Sequence, residues 1–165
     1  MSRAATSSRG RPMLAPLLAA LLPLGVTDIG DHAAVQKDLA REYRIIERGF
    51  RHDDPEPWIE HLSPNFELVL FAGQHQSRQW AVDYVRNNAK TFHIVKLSMR
   101  IQRVEFGDGD VTAIVEQKSV RTFAENGQPR RLDVGALQRE TWERTAAGWK
   151  LKRVQEWKVL YLRKN

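Results

Sequence analysis

Apolar residues near the start of the chain recur at spacings of three and four. Val35, Leu39, Tyr43, Ile46 and Phe50 fall on one face, which predicts a helix of about sixteen residues with Asp31 as its N-cap. Asp54-Pro55-Glu56 is a second start signal, with Asp54 as cap and Pro55 at the first helical position. Trp58, Ile59 and Leu62 follow before Ser63-Pro64 stops that short helix. Asn65 to Phe71 is β-branched and aromatic and reads as a strand closed by Ala72-Gly73. Ser77 is the expected cap of a third helix, in which Trp80, Tyr84 and Asn88 share one face.

Beyond that helix the period switches to two. Val95, Leu97, Met99 and Ile101 alternate with Lys96, Ser98, Arg100 and Gln102, and Val111, Ala113 and Val115 begin another strand after Gly107-Asp108-Gly109-Asp110. Asn126-Gly127 predicts a tight reversal, because this dipeptide tolerates positive φ at both central turn positions. Leu132 to Arg144 and Trp149 to Leu162 supply two more strands around the turn Ala146-Ala147-Gly148. Helices segregated from a mainly antiparallel sheet make the class α+β. Along the last strand Trp149, Leu151, Arg153, Gln155, Trp157, Val159 and Tyr161 share one parity, and Lys150, Lys152, Val154, Glu156 and Lys158 share the other. Polar groups among aromatics on the first of these faces predict a lined cavity rather than a dry core, since an unpaired buried polar group costs several kcal/mol.

At 165 residues the chain accommodates one domain, taken as 31–165, behind a leader of residues 1–30. The leader has a basic, acid-free start and then an apolar run from Met13 to Val26 interrupted by Pro16 and Pro23. That order resembles a secretory signal peptide, with an organelle transit peptide or an uncleaved tail as alternatives. Export to the periplasm is expected if the leader is cleaved and a cytoplasmic location otherwise; the apolar run is too short to span a membrane. The net charge of +6 belongs in part to Arg3, Arg9 and Arg11 of this leader. The remaining basic residues are scattered among acids and accompany no zinc-finger, helix-turn-helix or aromatic RNA-binding signature, so no specific nucleic-acid partner is expected. No cysteine is present, which excludes disulfides, thiolate chemistry and cysteine-ligated metals. The five histidines show no HxH or HExxH spacing and the glycines form no phosphate loop, so neither a metal nor a cofactor is expected.

Several short motifs, in order and spacing, carry a resemblance. They are Glu42-Tyr43, Gly73, Gly107-Asp108-Gly109-Asp110, Arg139-Glu140-Thr141-Trp142 and Gly148-Trp149-Lys150-Leu151, with Gln155 six residues after Trp149. Over Ala33 to Tyr161 the chain resembles the nuclear transport factor two-like superfamily, and within it the SnoaL-like group of unknown function. The resemblance implies a cone-shaped, cystatin-like α+β barrel: a curved antiparallel sheet wrapped around the long first helix, an open-ended pocket, and a homodimer formed through the outer face of the sheet. It implies no particular reaction, because the fold hosts enzymes, binding proteins and assembly domains.

Steroid isomerases of that superfamily carry a carboxylate base just before the glycine closing the first strand. Here Leu70, Phe71 and Ala72 occupy that region, so the isomerase base is missing. The remaining candidates for chemistry are His93, expected on an inner face ahead of Val95, Leu97 and Met99, Tyr43 as a donor to an oxyanion, and Glu140, whose facing the pattern leaves open. Gln117 and Arg121 continue the inner parity of Val111, Ala113 and Val115. With Arg153 and Gln155, and Trp157 further along the same face, they predict a basic, hydrogen-bonding wall opposite Tyr43, Trp58 and Trp80, suited to an aromatic ligand bearing a carbonyl or carboxylate. Three functions follow: a small-molecule binding domain, an enzyme of the cyclase, dehydratase or isomerase type, or an assembly domain whose outer sheet face is centred on Ile114, Val120 and Trp142.

Overall fold

The amphipathic stripe becomes α1, His32–Arg51, with Val35, Leu39, Tyr43 and Ile46 buried. The computed structural model describes residues 32–165, so the leader and the proposed cap Asp31 lie outside the described residues. α2, Glu56–His61, opens beside Asp54, whose Oδ1 accepts the Glu56 N–H at 3.0 Å. β1, Leu62–Val69, begins at once, three residues ahead of the expected start, because Leu62 already pairs with Leu151. The chain then turns through Gly73 at a φ of 82° into β2, His75–Ser77, a three-residue edge strand too short to show alternation in the sequence. Ser77 caps α3, Arg78–Thr91, its Oγ accepting the Trp80 N–H at 3.2 Å as expected.

Four long strands complete the chain: β3 (His93–Phe106), β4 (Asp110–Glu125), β5 (Gln128–Thr145) and β6 (Gly148–Lys164). The six strands form one curved sheet in the order β2-β1-β6-β5-β4-β3, antiparallel except where β1 runs parallel to β6. Asn126 and Gly127 both take positive φ, 52° and 74°, in the hairpin turn between β4 and β5. The fold is thus the mixed α+β, cystatin-like architecture that the sequence implies. No helix among the described residues is long and apolar enough to cross a membrane.

Register decides which side chains face inward. β4 pairs with β5 without a slip from Asp110 opposite Glu143 to Glu125 opposite Gln128. The inner rungs of this ladder are therefore Val111 with Trp142, Ala113 with Glu140, Val115 with Gln138, Gln117 with Ala136, and Arg121 with Leu132. Trp142 is fully buried in the core with Leu151, Val111 and Phe66. This corrects its expected place on the outer face. Of its two proposed companions Ile114 is itself only 6% exposed, and the exposed apolar side chains of the sheet are instead Val95 on β3 and Trp157, Val159, Leu160 and Leu162 on β6.

β3 and β6, unlike β4, contain irregularities in which two residues oppose one. Val95 and Gln102 are the skipped residues in β3, and Lys152, Trp157 and Leu160 are those in β6. Such bulges bend a strand and increase its twist, which suits a sheet curling around a helix. They also reset the alternation of faces. After Lys152 the inward residues of β6 are Val154, opposite Glu140, and Glu156, opposite Gln138.

Candidate functional site

Between the concave face of the sheet and the helices lies a cavity of about 160 Å³. Its apolar walls come from Phe50 of α1, Trp58 of α2, Val85 and Ala89 of α3, and Leu97 and Met99 of β3. Tyr84, Phe92 and Asp53 also contribute. Its polar side chains are carried mainly on the long strands: Gln117 and Arg121 from β4, Gln138 and Glu140 from β5, and Glu156 from β6, facing Asn88 of α3.

Glu140 is 2% exposed, and its facing is settled by its rung opposite Ala113: it shares the inner parity of Trp142. Tyr43, on the buried stripe of α1, donates its hydroxyl proton to Glu140 Oε2 at 2.9 Å and accepts the Trp142 indole N–H at 3.0 Å. The rings of Tyr43 and Trp142 meet edge to face, with centroids 5.6 Å apart. Burial disfavours the carboxylate and raises the Glu140 pKa to about 7, against the pull of the Tyr43 and Trp142 donors. Burial, followed by the neighbouring Glu140 charge, pushes the Tyr43 phenol well above its ordinary value, so it stays a donor at neutral pH. Removing that donor by Tyr43→Phe is expected to raise the Glu140 pKa further and to cost about 1–3 kcal/mol. Carboxyl-resolved NMR titration and urea denaturation check the two effects, and an unchanged or lowered Glu140 pKa would contradict the hydrogen bond's role.

Glu156 gives the cavity a second carboxyl. Its pKa is also raised by burial, while a hydrogen bond from the Phe71 N–H to Oε2 at 3.2 Å opposes the rise. Arg121 is the cationic member: its Nε donates to Ser119 Oγ at 3.1 Å, and burial lowers its pKa. Among the described residues no three His, Cys, Asp or Glu side chains gather so as to hold a metal ion.

Residues 29–155 match the SnoaL-like domain family. The chain belongs to that family. No curated protein matches this SnoaL-like chain. Among solved structures, a conserved protein from Planctomyces limnophilus is similar over 81% of this chain and 99% of its own, with a TM-score of 0.66 at 11% identity. A type 2 hexachlorocyclohexane dehydrochlorinase covers 81% of this chain and 90% of its own, with a TM-score of 0.63 at 14% identity. An NTF2-like protein of unknown function in nutrient uptake from Rhodospirillum rubrum reaches a TM-score of 0.57 at 17% identity, covering 74% of this chain and 99% of its own. At such identities the likeness is one of fold.

Within this SnoaL-like domain Tyr43, Glu140, Trp58, Gln117 and Arg121 converge on the core or the cavity, and the other proposed site residues do not. His93 is the first residue of β3 and its side chain is 58% exposed, with Nδ1 lying 2.7 Å from Asp53 Oδ2. The bulge at Val95 puts Ile94 on the inner face in its stead, so the expected inward His93 is corrected. Arg153 and Gln155 fall on the outer face because of the bulge at Lys152, and Arg153 Nε lies 3.3 Å from Glu67 Oε2. Trp157, itself the next skipped residue, is 52% exposed, and Trp80 stacks on Tyr84 at 4.9 Å without lining the cavity. Sequence reasoning missed Glu156, Gln138 and Asp53. Gln138 shares the parity of Trp142 and was legible in principle, whereas Glu156 reaches the cavity only through a bulge that no residue of the strand announces.

Proposed function

We propose that the SnoaL-like domain binds a small organic molecule in the cavity between α3 and the concave face of the sheet. The observation that supports this is a lining in which apolar walls hold a few convergent polar side chains, the composition of small-molecule sites. Ala89 lies on the cavity wall, so Ala89→Phe fills the space with a ring. Toluene and benzamide, titrated by NMR, are expected to shift cavity resonances in the native protein, and Ala89→Phe is expected to abolish both effects. Shifts of equal size in the filled variant would refute the reading.

Glu140 favours a second reading, an enzyme of the isomerase or dehydratase type. A cavity-lining carboxyl with a pKa of about 7 and a phenol donor at 2.9 Å suits proton transfer near neutral pH. On this reading Glu140→Gln abolishes turnover and leaves ligand affinity nearly unchanged.

A further inference from the structure

We propose that Arg121, with Ser119 and Gln117 beside it, is an anion subsite of the cavity that takes the carboxylate of a monocyclic organic acid. The inference rests on the cavity being a ligand site and adds the ligand's chemical class.

Its basis is a cation without a counterion among the described residues. Five other strand arginines each have an acid at ion-pair distance: Arg103 beside Glu105, Arg130 with Glu125 at 3.3 Å, Arg131 with Asp133 at 2.7 Å, Arg139 with Glu105 at 3.2 Å and Arg153 with Glu67 at 3.3 Å. All five side chains are at least 44% exposed, where pairing contributes little. Arg121 is partly buried on the inner face, and its one hydrogen bond among the described residues goes to the hydroxyl of Ser119, which is 3% exposed. A desolvated guanidinium left with a neutral partner is costly, and a carboxylate supplies both the charge and the paired acceptors that its planar fork matches.

The acids of the cavity do not meet this need. Asp53 is held by His93 at 2.7 Å, Glu140 by Tyr43 at 2.9 Å, and Glu156 by the Phe71 N–H at 3.2 Å. Along β4, Arg121 stands eight residues from Ala113, the partner of Glu140, so Glu140 and Arg121 project from opposite ends of the ladder. Consistently, burial is the main influence on the Arg121 pKa and lowers it. The cavity therefore carries Arg121 at one end, beside the Asp53–His93 pair, and the carboxyls of Glu140 and Glu156 toward the other.

Size narrows the ligand further. A cavity of about 160 Å³ is close to the roughly 150 Å³ that accommodates a benzene ring. One ring among Leu97, Met99, Val85 and Ala89 fills it, with the carboxylate directed to Arg121.

The test uses benzoate, its neutral analogue benzamide and its cationic analogue benzylamine, titrated by calorimetry and NMR into the full chain, Arg121→Gln and Arg121→Lys. Benzoate is expected to bind the native protein at least about tenfold more tightly than benzamide. Arg121→Gln removes that preference by weakening benzoate binding far more than benzamide binding, while Arg121→Lys keeps part of the preference by retaining charge without the fork. Equal affinities for benzoate and benzamide, or tighter binding of benzylamine, overturn the anion subsite and leave the cavity reading standing. Absence of binding by all three overturns both. If Arg121→Gln does not fold, the ranking of the three probes on the native protein and on Arg121→Lys decides the matter.

Discussion

Glu140→Gln is expected to make the protein more stable than the native chain at pH 9, by up to about 3 kcal/mol, and nearly equal to it at pH 5. The Glu140 carboxyl keeps its proton to about pH 7 in the folded protein, against an ordinary value of 4.5. Between those values the folded state binds more protons than the unfolded state, so each rise in pH favours unfolding. The stabilisation held by the protonated form is complete below 4.5 and lost as pH passes through about 7. Gln has nearly the same shape, still accepts the Tyr43 hydroxyl, and carries no charge to desolvate. Urea denaturation of both proteins across pH 5 to 9 isolates this group, because every other titrating residue is common to the pair. A difference between the two that stays constant with pH would show that Glu140 is not a buried titrating carboxyl.

Trp142→Ala is expected to cost about 4 kcal/mol, a large share of the 5–15 kcal/mol typical of a folded domain. The side chain is 0% exposed, its ring packs edge to face on both Tyr43 and His61, and its indole N–H donates to Tyr43. Truncation removes apolar burial, opens a void in a close-packed core and leaves the Tyr43 oxygen without its donor. Trp142→Phe separates these contributions: it keeps a ring but loses the N–H and the second ring, for about 1–2 kcal/mol. Chemical denaturation of the two variants should preserve that order. A loss below about 1 kcal/mol for Trp142→Ala would place the indole outside the core.

Much of the architecture could be read from the chain because helices and unbroken strands leave periodic traces. The stripe Val35, Leu39, Tyr43 and Ile46 gave α1, the Asn126-Gly127 pair gave the hairpin turn, and Ser77 gave the cap of α3. β4 has no bulge, and the inward facing expected for Gln117 and Arg121 agrees with its register. The site was legible only that far. His93, Arg153 and Gln155 were assigned to faces by extending an alternation across Val95 and Lys152, where the pairing skips a residue. A bulge costs little and has no required residue type, so a valine in one strand and a lysine in another can occupy it silently. β2 escaped notice for a different reason, since its three residues are an edge strand defined by its pairing with β1 rather than by a pattern of its own.

The skipped Lys152 also bears on how roles pass between distant relatives. Past this residue β6 holds two interleaved sets: Val154 and Glu156 turned inward, Arg153 and Gln155 turned outward. At identities of 11–17%, an alignment that is correct up to Leu151 and slips by one thereafter still looks perfectly periodic. It exchanges an acid for an amide in the lining and reports a different chemistry for the same fold. In this chain a change of one residue in strand length ahead of Val154 would therefore suffice to replace one lining with the other.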